Sequence, residues 1–143
     1  MAILLSTTFT NALLGYDSSA HTSSVVDQFA GGTLVVYSGT PPAGPNEGLS
    51  GNTALATFSF VTPASSWASP ATGVQNLDFV SQTVTASATG TGTFFRILNS
   101  SSAALLQGTV AASGGDFNLS SVSITSGDNV AITGTPTIAW TTT

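Results

Sequence analysis

The sequence contains no lysine and no cysteine, and apart from one histidine its only basic side chain is Arg96. Without cysteine, the chain can form neither a disulfide nor a thiolate metal site. Without several basic side chains on one face, it cannot neutralise the phosphates of a nucleic acid or be drawn to an anionic membrane surface. We therefore expect no nucleic acid and no membrane among its partners.

Long apolar runs are also missing. No stretch approaches the ~18 consecutive apolar residues of a membrane-spanning helix. The first residues, Met1 to Ser6, carry no positive side chain, and their apolar run is too short for a signal peptide. We expect a protein that is made in a cytoplasm and is not exported by an ordinary signal.

The sequence is rich in apolar and hydroxyl side chains and poor in charged ones. Charged residues make up 5% of the 143-residue chain and the formal net charge is −5, whereas hydrophobic residues make up 41%. This balance excludes an intrinsically disordered chain, and the length fits one domain. The 44 serine and threonine residues must form most of the polar surface. A surface with so few charges does little to keep monomers apart in solution, so we expect the protein to self-associate.

The sequence offers little for catalysis or metal binding. His21 is the only histidine and follows Asp17 by four residues, which is the spacing of an acid–base pair on a helix, but no Gly-x-Ser-x-Gly elbow is found. The acidic residues are scattered singly. Asp116 and Asp128 each follow a glycine, where an Asx turn accounts for them. We expect no enzyme activity, no metal site and no cofactor.

The first 32 residues differ from the rest and predict a helical segment with a loop. Phe9, Leu13 and Tyr16 fall at positions i, i+4 and i+7, which form one helical stripe. A second helical turn over residues 25–29 ends at the two glycines that follow it.

Residues 33–143 predict a single β-sandwich or jelly-roll domain, so the expected fold is mainly β with a short N-terminal helix. Short segments rich in β-branched and aromatic residues alternate there with turn residues. The most regular strand is Thr93–Leu98, which we expect to form a hairpin with residues 103–110 through the turn Asn99–Ser102. Residues 74–86 predict a strand with a break.

The segment 54–61 alternates in the manner of a half-buried strand. We expect one face of the strand to carry Leu55, Thr57 and Ser59. The opposite face then carries Ala56, Phe58 and Phe60.

Arg96 interrupts an apolar strand. If Phe95 and Ile97 face the core, Arg96 shares the opposite face with its other apolar neighbours. A buried arginine without a partner costs several kcal/mol, so we expect a structural ion pair, within the chain or between subunits. The available carboxylates are Asp116 and Asp78. Recognition of an anion is the alternative role for this guanidinium.

Two regions are candidates for contacts with other molecules. The segment Gly39–Gly48 contains three prolines and predicts an exposed loop of fixed shape. The predicted N-terminal helix and an aromatic residue in a second proline-containing loop are further candidates. The predicted interface residues are Phe9, Leu13, Tyr16, Pro41, Pro42, Pro45 and Trp67. An exposed tryptophan also suits stacking on a sugar ring, so a glycan-binding role for Trp67 stays open.

Five segments form an ordered series of motifs along the β-rich part of the chain. They are Gly32–Gly39 (Gly-Thr-Leu-Val-Val-Tyr-Ser-Gly), Ser50–Phe58, Gly92–Leu98 (Gly-Thr-Phe-Phe-Arg-Ile-Leu), Leu106–Val110 (Leu-Gln-Gly-Thr-Val) and Ser113–Leu119 (Ser-Gly-Gly-Asp-Phe-Asn-Leu). Together these segments resemble small virion proteins of tailed bacteriophages, a family labelled as head, decoration or fibre proteins. The resemblance implies a β-rich virion component without catalysis.

This resemblance leads us to expect a capsid decoration or cement protein on the outer capsid surface of a virion assembled in the bacterial cytoplasm. Its partners would be the major capsid protein and further copies of itself, as a homotrimer or another cyclic oligomer. The acidic, lysine-free composition suits an outward position, since a protein facing packaged DNA is expected to be basic. The alternatives are a neck, tail or fibre subunit and a glycan-binding module.

Overall fold

The computed structural model describes residues 4–7, 25–63 and 74–139. The described residues are mainly β, with 47% strand and 4% helix, and they form a single β-sandwich-like domain of mostly antiparallel sheets with one small helix. The fold class predicted from the sequence is confirmed.

Eleven strands and one helix lie in the described residues. In chain order they are β1 (Leu4–Leu5), α1 (Val25–Phe29), β2 (Thr33–Ser38), β3 (Ala54–Ser59), β4 (Val74–Asn76), β5 (Thr83–Thr85), β6 (Gly90–Leu98), β7 (Ala104–Ala111), β8 (Phe117–Asn118), β9 (Ser123–Ile124), β10 (Asn129–Ala131) and β11 (Thr137–Ala139).

The main sheet has the strand order β1-β7-β6-β2-β3, with β8 added to one end of β7 and β9 to one end of β6. Neighbours along the order are antiparallel, whereas β8 runs parallel to β7. Two smaller sheets pair β10 with β5 and β11 with β4. Single bridges join Phe60 to Phe79 and Leu119 to Ile132. The hairpin of β6 and β7 is thus at the centre of the domain.

The main core covers one face of this sheet and contains five buried phenylalanine residues. The ring of Phe79 stacks on Phe60 with centroids 4.6 Å apart and meets Phe58 and Phe117 edge-on. Phe95 packs on Phe117 at 5.4 Å. Full burial of each such side chain stabilises the fold by about 1.5–3 kcal/mol. Val130 of β10 belongs to the same core, and Val84 of β5 and Ile138 of β11 pack against it, so the core holds the smaller sheets against the main one.

The opposite face of the main sheet is buried as well. Val35, Tyr37 and Phe94 form a second, smaller cluster with Leu98 packed against it. The rings of Tyr37 and Phe94 stack with centroids 5.2 Å apart. Burial on both faces explains why β2 is a continuous apolar run and does not alternate.

Several sequence predictions are confirmed at their expected positions. The helical turn over 25–29 is α1, and it ends where Gly31 adopts a φ of 72°. The β6–β7 hairpin turns at Asn99–Ser102, where Asn99 Oδ1 accepts from the backbone N–H groups of Ser101 and Ala103. The broken strand over 74–86 is β4 and β5.

Two predictions need correction. Residues 1–32 are not solely helix and loop, because β1 pairs with β7 and so joins the main sheet. Leu55 is fully buried and does not share the exposure of Thr57 and Ser59. The reason is a register shift between β2 and β3: Tyr37 pairs with Ala54 and Val36 pairs with Ala56, so Leu55 is the extra residue of a bulge.

Candidate functional site

The proline loop, residues 39–53, connects β2 to β3 and is fixed at its base. Asn52 Nδ2 donates to the carbonyl oxygens of Ser38 and Thr40 at 3.1 and 2.9 Å. Thr93 Oγ1, on the neighbouring β6, donates to the Gly39 carbonyl at 2.6 Å. The φ of Gly39 is 87°, in the left-handed region that a side chain disfavours. The loop therefore leaves the sheet in one defined direction.

The middle of the proline loop is held by two buried polar side chains, Arg96 and Gln107. Arg96 Nη2 donates to the carbonyl oxygens of Gly44 and Glu47 at 3.0 and 2.8 Å. Gln107 Nε2 donates to the Pro42 carbonyl at 2.9 Å. Arg96 Nε donates to Gln107 Oε1 at 2.9 Å, so the two side chains also orient each other. We call these two side chains the carbonyl clamp.

The clamp holds the loop over the face that carries the second cluster. Arg96 pairs with Val35 on one side and with Gln107 on the other, so all three lie in one row across the sheet. Arg96 is 5% exposed and Gln107 is fully buried. Burial lowers the pKa of Arg96, and the nearby Tyr37 opposes that effect. No side-chain nitrogen or oxygen buried in the described parts of the chain lacks a hydrogen-bond partner.

The sequence predicts an ion pair between Arg96 and Asp116 or Asp78, and the structure does not confirm this pair within the chain. The hydrogen-bond acceptors of Arg96 are the Gln107 amide and two loop carbonyls, not the carboxylate of Asp78 or Asp116. Asp116 Oδ2 accepts from Thr109 N and Thr109 Oγ1 at 2.8 and 2.7 Å. The hydrogen bonds of the guanidinium go to neutral dipoles because Gln107 occupies the position opposite Arg96 on β7. The loop brings two of its carbonyl oxygens to Arg96 Nη2.

The tip of the proline loop contacts the segment that follows β1. Thr7 N donates to Asn46 Oδ1 at 3.2 Å, and Asn46 Nδ2 donates to Thr7 Oγ1 at 3.0 Å. With the base and the carbonyl clamp, this reciprocal pair gives the loop a third anchor.

The prolines of the loop differ in exposure. Pro45 is buried, whereas Pro41 and Pro42 are half-buried. Pro45 is therefore corrected from an interface candidate to a residue that packs within the protein. Phe9, Leu13, Tyr16 and Trp67, the other predicted interface residues, lie outside the described residues.

The exposed part of the loop carries an apolar side chain that the sequence analysis did not single out. Residues 46–51 are exposed, and Leu49 in their midst has 42% of its surface accessible. Leu49 and Val80 are the exposed large hydrophobic residues of the described chain.

Within residues 4–7, 25–63 and 74–139, no group of three or more His, Cys, Asp and Glu side chains could hold a metal ion. His21 and Asp17 lie outside these ranges. No helix there is long and apolar enough to span a membrane.

A shallow depression of about 300 Å³ is rich in hydroxyl groups and contains one carboxylate. Its lining residues are Ser120, Ser121, Ser123, Ile124, Asp128, Asn129 and Val130. The Asp128 carboxylate accepts a hydrogen bond from Thr125 N at 3.1 Å, which is the turn role expected from the sequence. The lining offers no aromatic ring on which a sugar could stack.

Gln107 was missed by the sequence analysis, although a signal for it exists. It lies in the apolar run Leu105-Leu106-Gln107 of β7, as Arg96 lies in the apolar run of β6. Two polar residues inside two adjacent strands of a predicted hairpin are candidates for a buried pair.

Comparisons of this chain with protein-family models, with curated proteins and with solved structures give no match.

Proposed function

We propose that this protein is a non-enzymatic structural component of a tailed-phage virion, and that it acts as a capsid decoration or cement protein bound to the major capsid protein on the outer surface of the head. The observation that best supports a binding role is the carbonyl clamp. The chain uses its only arginine and a fully buried glutamine to fix the shape of a surface loop.

A fixed loop favours binding because its conformational entropy is lost on folding and not again on association. A decoration protein needs this advantage, since each copy makes a modest interface that symmetry repeats over the particle. The proposed assembly is a homotrimer or another cyclic oligomer whose copies bridge neighbouring capsid subunits. Stabilisation of the head then follows by mass action, because the bound protein favours the assembled shell.

The distribution of charge supports an outward position. The one arginine is buried, while Asp27, Glu47, Asp116 and Asp128 are exposed. The chain has no lysine, so its surface has little with which to bind packaged DNA.

Copy number per purified particle tests this proposal. Quantitative mass spectrometry would compare this protein with the major capsid protein in the same virions. On the order of hundreds of copies is expected for a protein that follows the capsid lattice. About a dozen copies would contradict decoration and favour a neck, tail or fibre subunit. Absence from the virion would overturn the virion role and favour a glycan-binding module that uses Trp67.

A further inference from the structure

We propose that Leu49 is the anchoring side chain of the contact between this protein and the capsid, and that it enters an apolar pocket bordered by basic side chains on the partner. This inference rests on the proposed function and identifies the contact residue and the chemistry of the surface that receives it. It concerns residues 46–51 of the proline loop.

The backbone on either side of Leu49 is open, and 42% of the surface of Leu49 itself is accessible. A Cβ atom added at Gly48 or at Gly51 would meet no atom of the described residues within 4 Å. The residues next to Leu49 are Gly48 and Ser50, which are both small. Leu49 is therefore the only bulky apolar group that this segment presents.

The segment is nonetheless held at both ends. On one side, Arg96 Nη2 donates to the Glu47 carbonyl at 2.8 Å, two residues before Leu49. On the other side, Asn52 Oδ1 accepts from the Ser50 backbone N–H at 3.1 Å, one residue after it. A leucine presented on a backbone fixed in this way loses little backbone freedom on binding, which favours association.

The charge around Leu49 indicates the chemistry of the partner. Glu47 is exposed, so its carboxylate lies at the surface near the leucine. Arg96, the only Lys or Arg of the chain, is buried in the interior. A partner with basic side chains around an apolar pocket complements this acidic and apolar segment, whereas an acidic partner surface would be repelled.

Val80 provides an internal comparison because it is exposed to a greater extent, 71% against 42% for Leu49. Val80 lies outside the clamped loop, beside the isolated bridge of Phe79. If exposure alone determined binding, Val80 would contribute at least as much as Leu49. We expect only Leu49 to contribute.

Binding of the purified protein to capsids assembled without it tests the inference. Cosedimentation isotherms would be measured for the wild type and for Leu49→Ser, Val80→Ser and Glu47→Gln, after thermal unfolding has shown that each variant is folded. We expect Leu49→Ser to weaken binding at least about tenfold and Val80→Ser to leave it within about twofold. Glu47→Gln should weaken binding at low salt and reduce its dependence on ionic strength.

The possible failures are distinguishable. If the wild type does not bind capsids, the proposed function itself is wrong. If the wild type binds and Leu49→Ser binds equally well, the decoration role stands and the assignment of Leu49 is overturned. If Glu47→Gln binds as the wild type does at every salt concentration, the basic border of the pocket is overturned.

Discussion

Arg96 and Gln107 lie directly opposite each other on β6 and β7, and the guanidinium donates to the amide oxygen at 2.9 Å. Each side chain also donates from its terminal nitrogen, Nη2 or Nε2, to carbonyl oxygens of the proline loop. The loop is thus bound to its own sheet in the way that a peptide ligand is bound, through its backbone.

Arg96→Met is expected to lower the free energy of unfolding by about 3 kcal/mol, because it removes the donors to three acceptors in a buried setting. Gln107→Met should also destabilise the protein. Because the two side chains belong to one network, the double variant should lose less than the sum of the single losses. Urea denaturation of the three variants measures this coupling. Additive losses would show that the two side chains act independently.

Tyr37 should make the protein sensitive to alkaline pH. Burial raises the pKa of its phenol above the ordinary value of 10.0, and the nearby Arg96 opposes that shift only in part. Because the folded-state pKa is the higher one, the stabilisation from the neutral phenol is complete below about pH 10 and is lost as the pH rises through the folded-state value. We expect the free energy of unfolding to fall above pH 10, and Tyr37→Phe to flatten that fall.

Urea denaturation at a series of pH values checks this expectation. The chain has two tyrosines, so Tyr16→Phe reports the contribution of the other phenol. An unchanged pH dependence in Tyr37→Phe would rule out Tyr37 as the source.

Gly32 should not tolerate a side chain. A Cβ atom there would overlap the Leu98 carbonyl oxygen, a backbone atom that cannot rotate away as a side chain could. Gly32→Ala is expected to cost several kcal/mol, or to prevent folding, because β2 must separate from β6. The matched control is Gly48→Ala, where the new methyl group meets no atom of the described part of the chain within 4 Å and the φ is not left-handed. In thermal unfolding, the free energy of unfolding of this control should lie within about 1 kcal/mol of the wild-type value.

Asp116 should protect the edge of β7 from other strands. On that edge, β1 covers Leu106 and Gln107, and β8 covers Val110 and Ala111. Between them, the Asp116 carboxylate accepts the Thr109 N–H. Asp116→Ala is expected to cost about 1–2 kcal/mol and to increase self-association through the exposed edge.

Urea denaturation and light scattering measure the two effects. Asp128→Ala removes a turn carboxylate of the same type, whose Oδ2 accepts from Thr125 N, away from β7. Equal scattering by the two variants would contradict the role of Asp116 at the edge.

Features that depend on neighbouring residues along the chain could be predicted from the sequence. The end of α1 at Gly31 and the β6–β7 turn at Asn99–Ser102 follow from local turn chemistry. The two faces of β6 follow from its alternation, with Phe95 in the main core and Phe94 in the second cluster.

Features that depend on distant residues could not be predicted. The burial of Leu55 requires the register of β3 against β2, which the alternation of β3 alone does not contain. The position of β1 requires β7, about a hundred residues later in the chain. A two-residue strand has too short a pattern to indicate a partner at that separation.

The mainly β class, the scarcity of charge and the need of Arg96 for a partner can be read from the residues alone, since these follow from composition, periodicity and the cost of burying a charge. Which partner Arg96 has depends on the folded chain. Carboxylate partners could be proposed from the sequence because they belong to particular residue types. Backbone carbonyls could not, because every residue has one. The acceptors in Gly44 and Glu47 became partners only when the proline loop folded back over the sheet.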